Sequence, residues 1–198
     1  MAAYTSTNYH KHTSKNPLQR WLIHRFHQTA ATLLADVPGS RYLDVGCGEG
    51  FAMRALLAPA NNRTITGMDL ELPAVQLARQ ANPQANFAVG SLLAVPFPDN
   101  TFDVTLCMEV LEHLVTPEQG VTELRRVTRH FLLLSVPNEP LFRGANFLRG
   151  KNLSRWGNDI GHLQNWSARA FVSFVSRQCE ILTWRTSFPW TLVLCKLD

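Results

Sequence analysis

Three glycines at every second position, Gly46, Gly48 and Gly50, follow the short apolar run Tyr42-Leu43-Asp44-Val45, and an acid, Asp69, lies nineteen positions after the last of them. Glycines let a backbone turn sharply and approach a ligand closely, and the strand formers before them set that turn at a strand end. A dinucleotide site spaces its glycines G-x-G-x-x-G and seats the pyrophosphate at the following helix. The tighter spacing here suits a cofactor without a pyrophosphate. Asp69 closes Thr64–Met68, read as a second parallel strand, where a carboxylate accepts both hydroxyl hydrogens of a ribose. A second group of chemically able residues is Glu109, Glu112 and His113, with His162 further along. If residues 109–113 are helical, offsets of three and four put Glu109, Glu112 and His113 on one face. Two carboxylates and two imidazoles form a donor set for a divalent metal, favouring manganese, iron, cobalt or zinc over magnesium. Without a metal the same groups serve as substrate contacts, core hydrogen bonders or a general base, His113 first and His162 second.

The elements that position these residues follow from periodicity. Residues 17–37 begin at Pro17 and repeat Leu18, Trp21, Leu22, Phe26, Ala30, Leu33 and Leu34 at helical intervals. Helices are also expected over Phe51–Leu57, Leu72–Ala81, Pro117–Arg129 and Ser167–Arg177, and strands over residues 86–91, 104–108 and 130–136. Phe131-Leu132-Leu133-Leu134 is the continuous apolar run of a strand buried on both faces. Residues 180–187 and 191–196 read as two further strands around Phe188-Pro189. Strand and helix alternate throughout, so the expected fold class is α/β, a Rossmann-like doubly wound sheet with its ligand crevice at the C-terminal strand ends.

The loop and acid together resemble class I S-adenosylmethionine-dependent methyltransferases. The resemblance continues through Asn86 to Ser91 and through Leu92 to Asp103, whose Phe97-Pro98-Asp99-Asn100-Thr101-Phe102-Asp103 is similar to the family's approach to its fourth strand. It implies a seven-stranded sheet, mostly parallel, closed by a C-terminal antiparallel hairpin. It also implies that S-adenosyl-L-methionine is bound by Asp44, Gly46, Cys47, Gly48, Gly50, Asp69, Leu70, Ser91, Leu92 and Met108. Ser91 stands where the family usually places an Asp on the adenine amino group. The spacing of Glu109, Glu112, His113, Pro137-Asn138 and His162 is similar to that of metal-dependent small-RNA 2′-O-methyltransferases and, more loosely, of polyprenyl-benzoate O-methyltransferases. The RNA enzymes have an acid before the last His, where this chain has Gly161. The implied activity is methyl transfer to a hydroxyl oxygen of a small or lipid-linked metabolite. An RNA acceptor and a non-catalytic cofactor-binding subunit are the alternatives.

Composition bounds these readings. The 198 residues suit a single domain, 1–198, and a 45% hydrophobic, 17% charged composition is that of an ordinary globule. No stretch approaches the ~20 apolar residues of a membrane span, and residues 1–16 lack a signal peptide's apolar run, so a cytoplasmic location is expected. The four cysteines show no C-x-x-C spacing, so neither a zinc site nor a disulfide framework is indicated. Arg143, Arg149, Lys151 and Arg155 interleave with Leu141, Phe142, Phe147, Leu148, Leu153 and Trp156. This stretch reads as a substrate lid over 141–166, as a peripheral membrane contact through 141–156, as a nucleic-acid contact, or as a solvated loop with snorkelling arginines.

Overall fold

The computed structural model describes residues 6–56, 63–148 and 161–197. One seven-stranded sheet in the order β3-β2-β1-β4-β5-β7-β6 organises them. Its strands are β1 (Arg41–Val45), β2 (Thr64–Asp69), β3 (Asn86–Val89), β4 (Phe102–Met108), β5 (Thr128–Pro137), β6 (Glu180–Ser187) and β7 (Trp190–Lys196). The first five pair in parallel, and β7 inserts antiparallel between β5 and β6. The sheet order reverses at β1, which has β2 on one side and β4 on the other, so the crevice opens beyond Val45 and Met108.

Among the described residues seven helices accompany the strands: α1 (Thr7–His12), α2 (Pro17–Leu34), α3 (Phe51–Leu56), α4 (Leu72–Ala81), α5 (Pro117–Val127), α6 (Glu139–Leu148) and α7 (Ala168–Val175). α2 starts where its sequence signals a start. Asn16 Oδ1 accepts the backbone N–H groups of Leu18 and Gln19 at 2.9 and 3.2 Å, and Pro17 brings a preset φ to the first turn. It ends at Leu34, three residues short of the expected boundary.

The sheet carries a core on each face. On one side α2 buries Ile23, Phe26, Ala30, Leu33 and Leu34 with Leu106 of β4, Leu133 of β5 and Leu192 of β7. On the other, Val121, Leu124 and Val127 of α5 and Phe171, Phe174 and Val175 of α7 pack on Leu132, Leu134 and Val136. Leu132, Leu133 and Leu134 are thus fully buried by alternating between two cores, which is why the run is apolar without alternation. The Pro98–Asp103 segment folds around one guanidinium. Arg126 donates to Phe97 O, Val95 O, Asp99 and Glu123, each at 2.8 Å.

Several boundaries differ from expectation. β3 stops at Val89 and β5 starts at Thr128, before His130. Residues 109–113 are not a helix. Glu109 takes a left-handed φ of 61°, and only a 3₁₀ turn at Leu111–His113 follows. The Glu109 N–H donates to Ser135 O at 3.1 Å, which keeps the chain on the β5 ladder one residue past β4 and prevents a helix from starting there. The expected lid is helical over α6, while residues 149–160, with Arg149, Lys151 and Arg155, lie outside the described residues. No helix among the described residues is long and apolar enough to cross a membrane.

Gly46 has a φ of 76°, and a Cβ there would lie 2.2 Å from Val110 Cγ2. We expect Gly46→Ala to cost about 2–4 kcal/mol through combined strain and overpacking. Gly144→Ala in α6, where a Cβ meets nothing within 4 Å, is expected to gain about 0.5–1 kcal/mol. Urea unfolding of the two variants beside the parent checks the contrast.

Candidate active site

The glycine loop turns across the end of the neighbouring strand. The N–H groups of Gly46 and Cys47 both donate to Met68 O, at 2.7 and 3.0 Å, and the N–H of Gly48 donates to Asp69 Oδ2 at 2.8 Å. Asp69 Oδ1 accepts from the N–H of Glu71 at 3.0 Å at the start of α4. The carboxylate of Asp69 is therefore oriented by two backbone donors, with lone pairs left to each oxygen. Gly50 lies against α4, where a Cβ would meet Asn82 Nδ2 at 2.4 Å.

Asp44, the residue two before Gly46, is 2% exposed, and its Oδ2 has no hydrogen-bond partner among the described residues. Burial, and next the charge of Asp69, pushes its carboxyl up to about 7. Asp44, Gly46, Cys47 and Gly48 line a cleft with Phe51, Met108 and Glu109, walled by Ile23, Phe26 and His27 of α2 and by Asn8, Lys11 and His12 of α1. A buried unpaired acid either stays protonated or takes a cationic partner.

The remaining expected cofactor residues are placed less uniformly. Leu70 is 65% exposed beside Asp69, an apolar surface at the crevice. Ser91 Oγ accepts the N–H of Leu93 at 3.2 Å in a tight turn. The side chain of Leu92 points into the core formed with α5, so any ligand contact it makes is through its backbone.

The second group is brought together only in part. Ligand atoms of Glu112, His113 and His162 lie within 4.8 Å of one another, whereas Glu109 is outside that cluster. Its left-handed φ swings it away, and Glu109 Oε2 accepts the indole N–H of Trp190 at 2.5 Å while Oε1 accepts the hydroxyl of Ser135 at 3.3 Å. Burial raises the Glu109 carboxyl above the usual carboxylate range, opposed by the charge of Lys11.

Each imidazole of the cluster is oriented by its second nitrogen. His113 Nδ1 is 2.8 Å from the carbonyl oxygen of Gly161, which can only accept, so in the neutral ring Nδ1 carries the proton and Nε2 the lone pair. His162 Nδ1 is 2.6 Å from Oε1 of the buried Glu139. Both oxygens of Glu112, 1% exposed, lack a hydrogen-bond partner among the described residues. Burial first, and the charge of Glu109 second, hold its carboxyl well above the usual range. Two backbone hydrogen bonds bring residues 161–166 to this turn: Leu163 N–H and Gln164 N–H both donate to Glu112 O, at 2.8 and 2.9 Å. A third, from Glu139 N–H to Trp166 O at 2.9 Å, ties in the start of α6.

Sequence reasoning missed Glu139, Trp190 and α1. Glu139 directly follows Pro137-Asn138, and that adjacency was the available signal. Gly161 has its own reason, since a Cβ there would be 3.2 Å from His113 Nδ1.

Residues 43–131 match the family model described as Methyltransferase domain. The chain is 34% identical over 119 residues to a fatty-acid O-methyltransferase of Mycolicibacterium smegmatis, covering 59% of this chain and 43% of that protein. It is 36% identical over 141 residues to a 2-methyl-6-phytyl-1,4-hydroquinone methyltransferase of Synechocystis sp., covering 69% of this chain and 43% of that protein. The chain thus spans about two fifths of the length of these relatives. Among solved structures, magnesium protoporphyrin IX methyltransferase from Synechocystis PCC 6803 with bound SAH superposes with a TM-score of 0.72 at 17% identity, covering 98% of this chain and 95% of that one; this likeness concerns the fold alone. By sequence, residues 43–131 are a methyltransferase domain, and the fold of the described residues is that of class I S-adenosylmethionine-dependent methyltransferases.

The raised carboxyl of Asp44 gives a pH dependence. Its folded value, about 7, lies above the unfolded value of 3.8, so its contribution to stability is greatest below 3.8 and is lost as pH rises through 7. Asp44→Asn is therefore expected to stabilise the ligand-free protein by a few kcal/mol at pH 8, at ~1.4 kcal/mol for each tenfold difference in proton affinity between the folded and unfolded chain, with the gain shrinking toward pH 5. Urea unfolding at several pH values measures it.

Proposed function

We propose that this protein transfers a methyl group from S-adenosyl-L-methionine to a hydroxyl oxygen of a small or lipid-linked acceptor, with a divalent cation held by Glu112, His113 and His162. S-adenosylmethionine supplies a methyl group on a sulfonium, and a divalent cation supplies a Lewis acid that lowers the pKa of an acceptor hydroxyl. The buried, unpartnered Oδ2 of Asp44 fits the cationic methionine end of the cofactor, and the backbone-oriented carboxylate of Asp69 fits its ribose.

The observation that carries the metal is the state of the three side chains. Glu112 has two buried oxygens without hydrogen-bond partners among the described residues, and both imidazoles are pinned through Nδ1, leaving Nε2 as the ligating nitrogen. Imidazoles whose other nitrogen donates to a carbonyl or a carboxylate are the usual support of a metal site. Glu109 would stand beside the acceptor between Trp190 and Ser135 and take no part as a ligand. The names of the two relatives, a fatty-acid and a hydroquinone methyltransferase, support an apolar small-molecule acceptor.

The hydrogen bond between Glu139 and His162 favours a second, metal-free reading. A carboxylate on Nδ1 stabilises an imidazolium, so His162 would be the general base that accepts the acceptor's proton, ahead of His113.

Calorimetry on metal-stripped protein separates the two. We expect Mn²⁺ to bind the parent and not Glu112→Gln or His162→Ala, and Glu139→Gln to weaken it about 10–100-fold. S-adenosylmethionine affinity is expected to persist in these variants and to be lost in Asp69→Ala. Cofactor binding without Mn²⁺ uptake by the parent would select the histidine-base reading.

A further inference from the structure

α1 is fastened to the glycine loop. The Ser6 hydroxyl and Asn8 Nδ2 both donate to the carboxylate of Glu49, the latter at 2.6 Å. Ser6 also caps the helix by accepting the Tyr9 N–H at 2.9 Å. At the other end the His12 ring stacks on Phe51 of α3 with centroids 4.5 Å apart, and on His27 of α2 at 5.4 Å. Between these attachments Lys11 enters the cleft that Asp44 lines.

The ammonium of Lys11 lies 4.8 Å above the Trp190 ring and 3.7 Å from Glu109 Oε2. The second distance makes an ion pair and not a hydrogen bond. Glu109 is already served by the Trp190 indole and the Ser135 hydroxyl. Lys11 thus brings three N–H donors into a cleft with both polar and apolar walls, and no described residue accepts a hydrogen bond from them. On the same cleft, Asp44 offers a buried acid without a partner for its Oδ2.

From this pairing of a fixed cation with an unfilled acid we infer that Lys11 is a carboxylate-binding residue, which α1 contributes to the cleft. The inference rests on the methyl-transfer reading, because the cleft is the one the glycine loop forms. Two carboxylates have the required chemistry: that of the cofactor's own amino-acid end, whose ammonium would face Asp44, and that of an acidic acceptor with an apolar body, which Ile23, Phe26 and Met108 would line. A charge-assisted hydrogen bond of this kind is worth roughly a tenfold change in affinity or more.

The test is calorimetry on the full chain, its Lys11→Met variant, which keeps the stem, and its Lys11→Arg variant, which keeps the charge. The ligands are S-adenosylhomocysteine, 5′-methylthioadenosine, which lacks the amino-acid end, and octanoate added to the S-adenosylhomocysteine complex. A loss of about tenfold or more for S-adenosylhomocysteine in Lys11→Met, with methylthioadenosine held within about twofold and Lys11→Arg near the parent, supports the inference and names the cofactor carboxylate. The same loss confined to octanoate supports it and names the acceptor. Unchanged binding of both carboxylates overturns it, as does an equal fall for methylthioadenosine, which would mean that α1 itself has moved. A parent that binds neither adenosine ligand removes the methyl-transfer reading and this inference with it.

Discussion

The structure depends on the way the backbone leaves β1. Gly46 and Cys47 both donate to the carbonyl of Met68, and Gly48 donates to Asp69, so the first turn of the loop is fixed to the end of β2. Glycine conformations at 46 and 48, with φ of 76° and 53°, make this crossing possible. Other features follow from it. Asp44 is buried beneath the loop, Glu49 is presented on its outer side to receive α1, and Gly46 passes within contact of Val110, the residue that leads into the 3₁₀ turn. One backbone excursion thus links the positions of the glycine loop and the acids after β4.

The fold was legible because its signals are local and redundant. Alternating apolar strands and amphipathic helices, the start at Pro17 and the unbroken run at residues 131–134 each point to the same doubly wound sheet. What was not legible depends on contacts distant in sequence. α1 is a six-residue helix, too short to form by propensity, and it exists through its attachments to Glu49 and Phe51. The early start of β5 has a similar origin, since Phe102 pairs with Thr128 before the bulge that leads to Val104 and Phe131.

In the candidate site, the glycine loop and Asp69 were readable because their geometry is written within one β-α-β stretch. The helical reading of residues 109–113 failed because intrinsic spacing cannot report a left-handed residue imposed by a neighbouring strand. Glu139 was missed for a related reason. Its carboxylate reaches His162 only because its backbone is tied to Trp166 and because residues 163 and 164 are tied to Glu112, none of which is visible in a linear pattern.

The left-handed φ of Glu109 also divides the acids into two environments. Had residues 109–113 been helical, Glu109 and Glu112 would share one face, and two buried carboxylates with an imidazole would compete for a single site. Instead Glu109 faces Lys11 and Trp190, a cation and an indole donor, while Glu112 faces His113 and His162. A strained non-glycine residue persists only where its surroundings over-determine it. Here Ser135 O holds the N–H of Glu109, and Trp190 and Ser135 hold its side chain. The strain at one residue separates an acid that lines the cleft beside the glycine loop from an acid that lies beside two imidazoles, and each keeps a different partner chemistry within the same crevice.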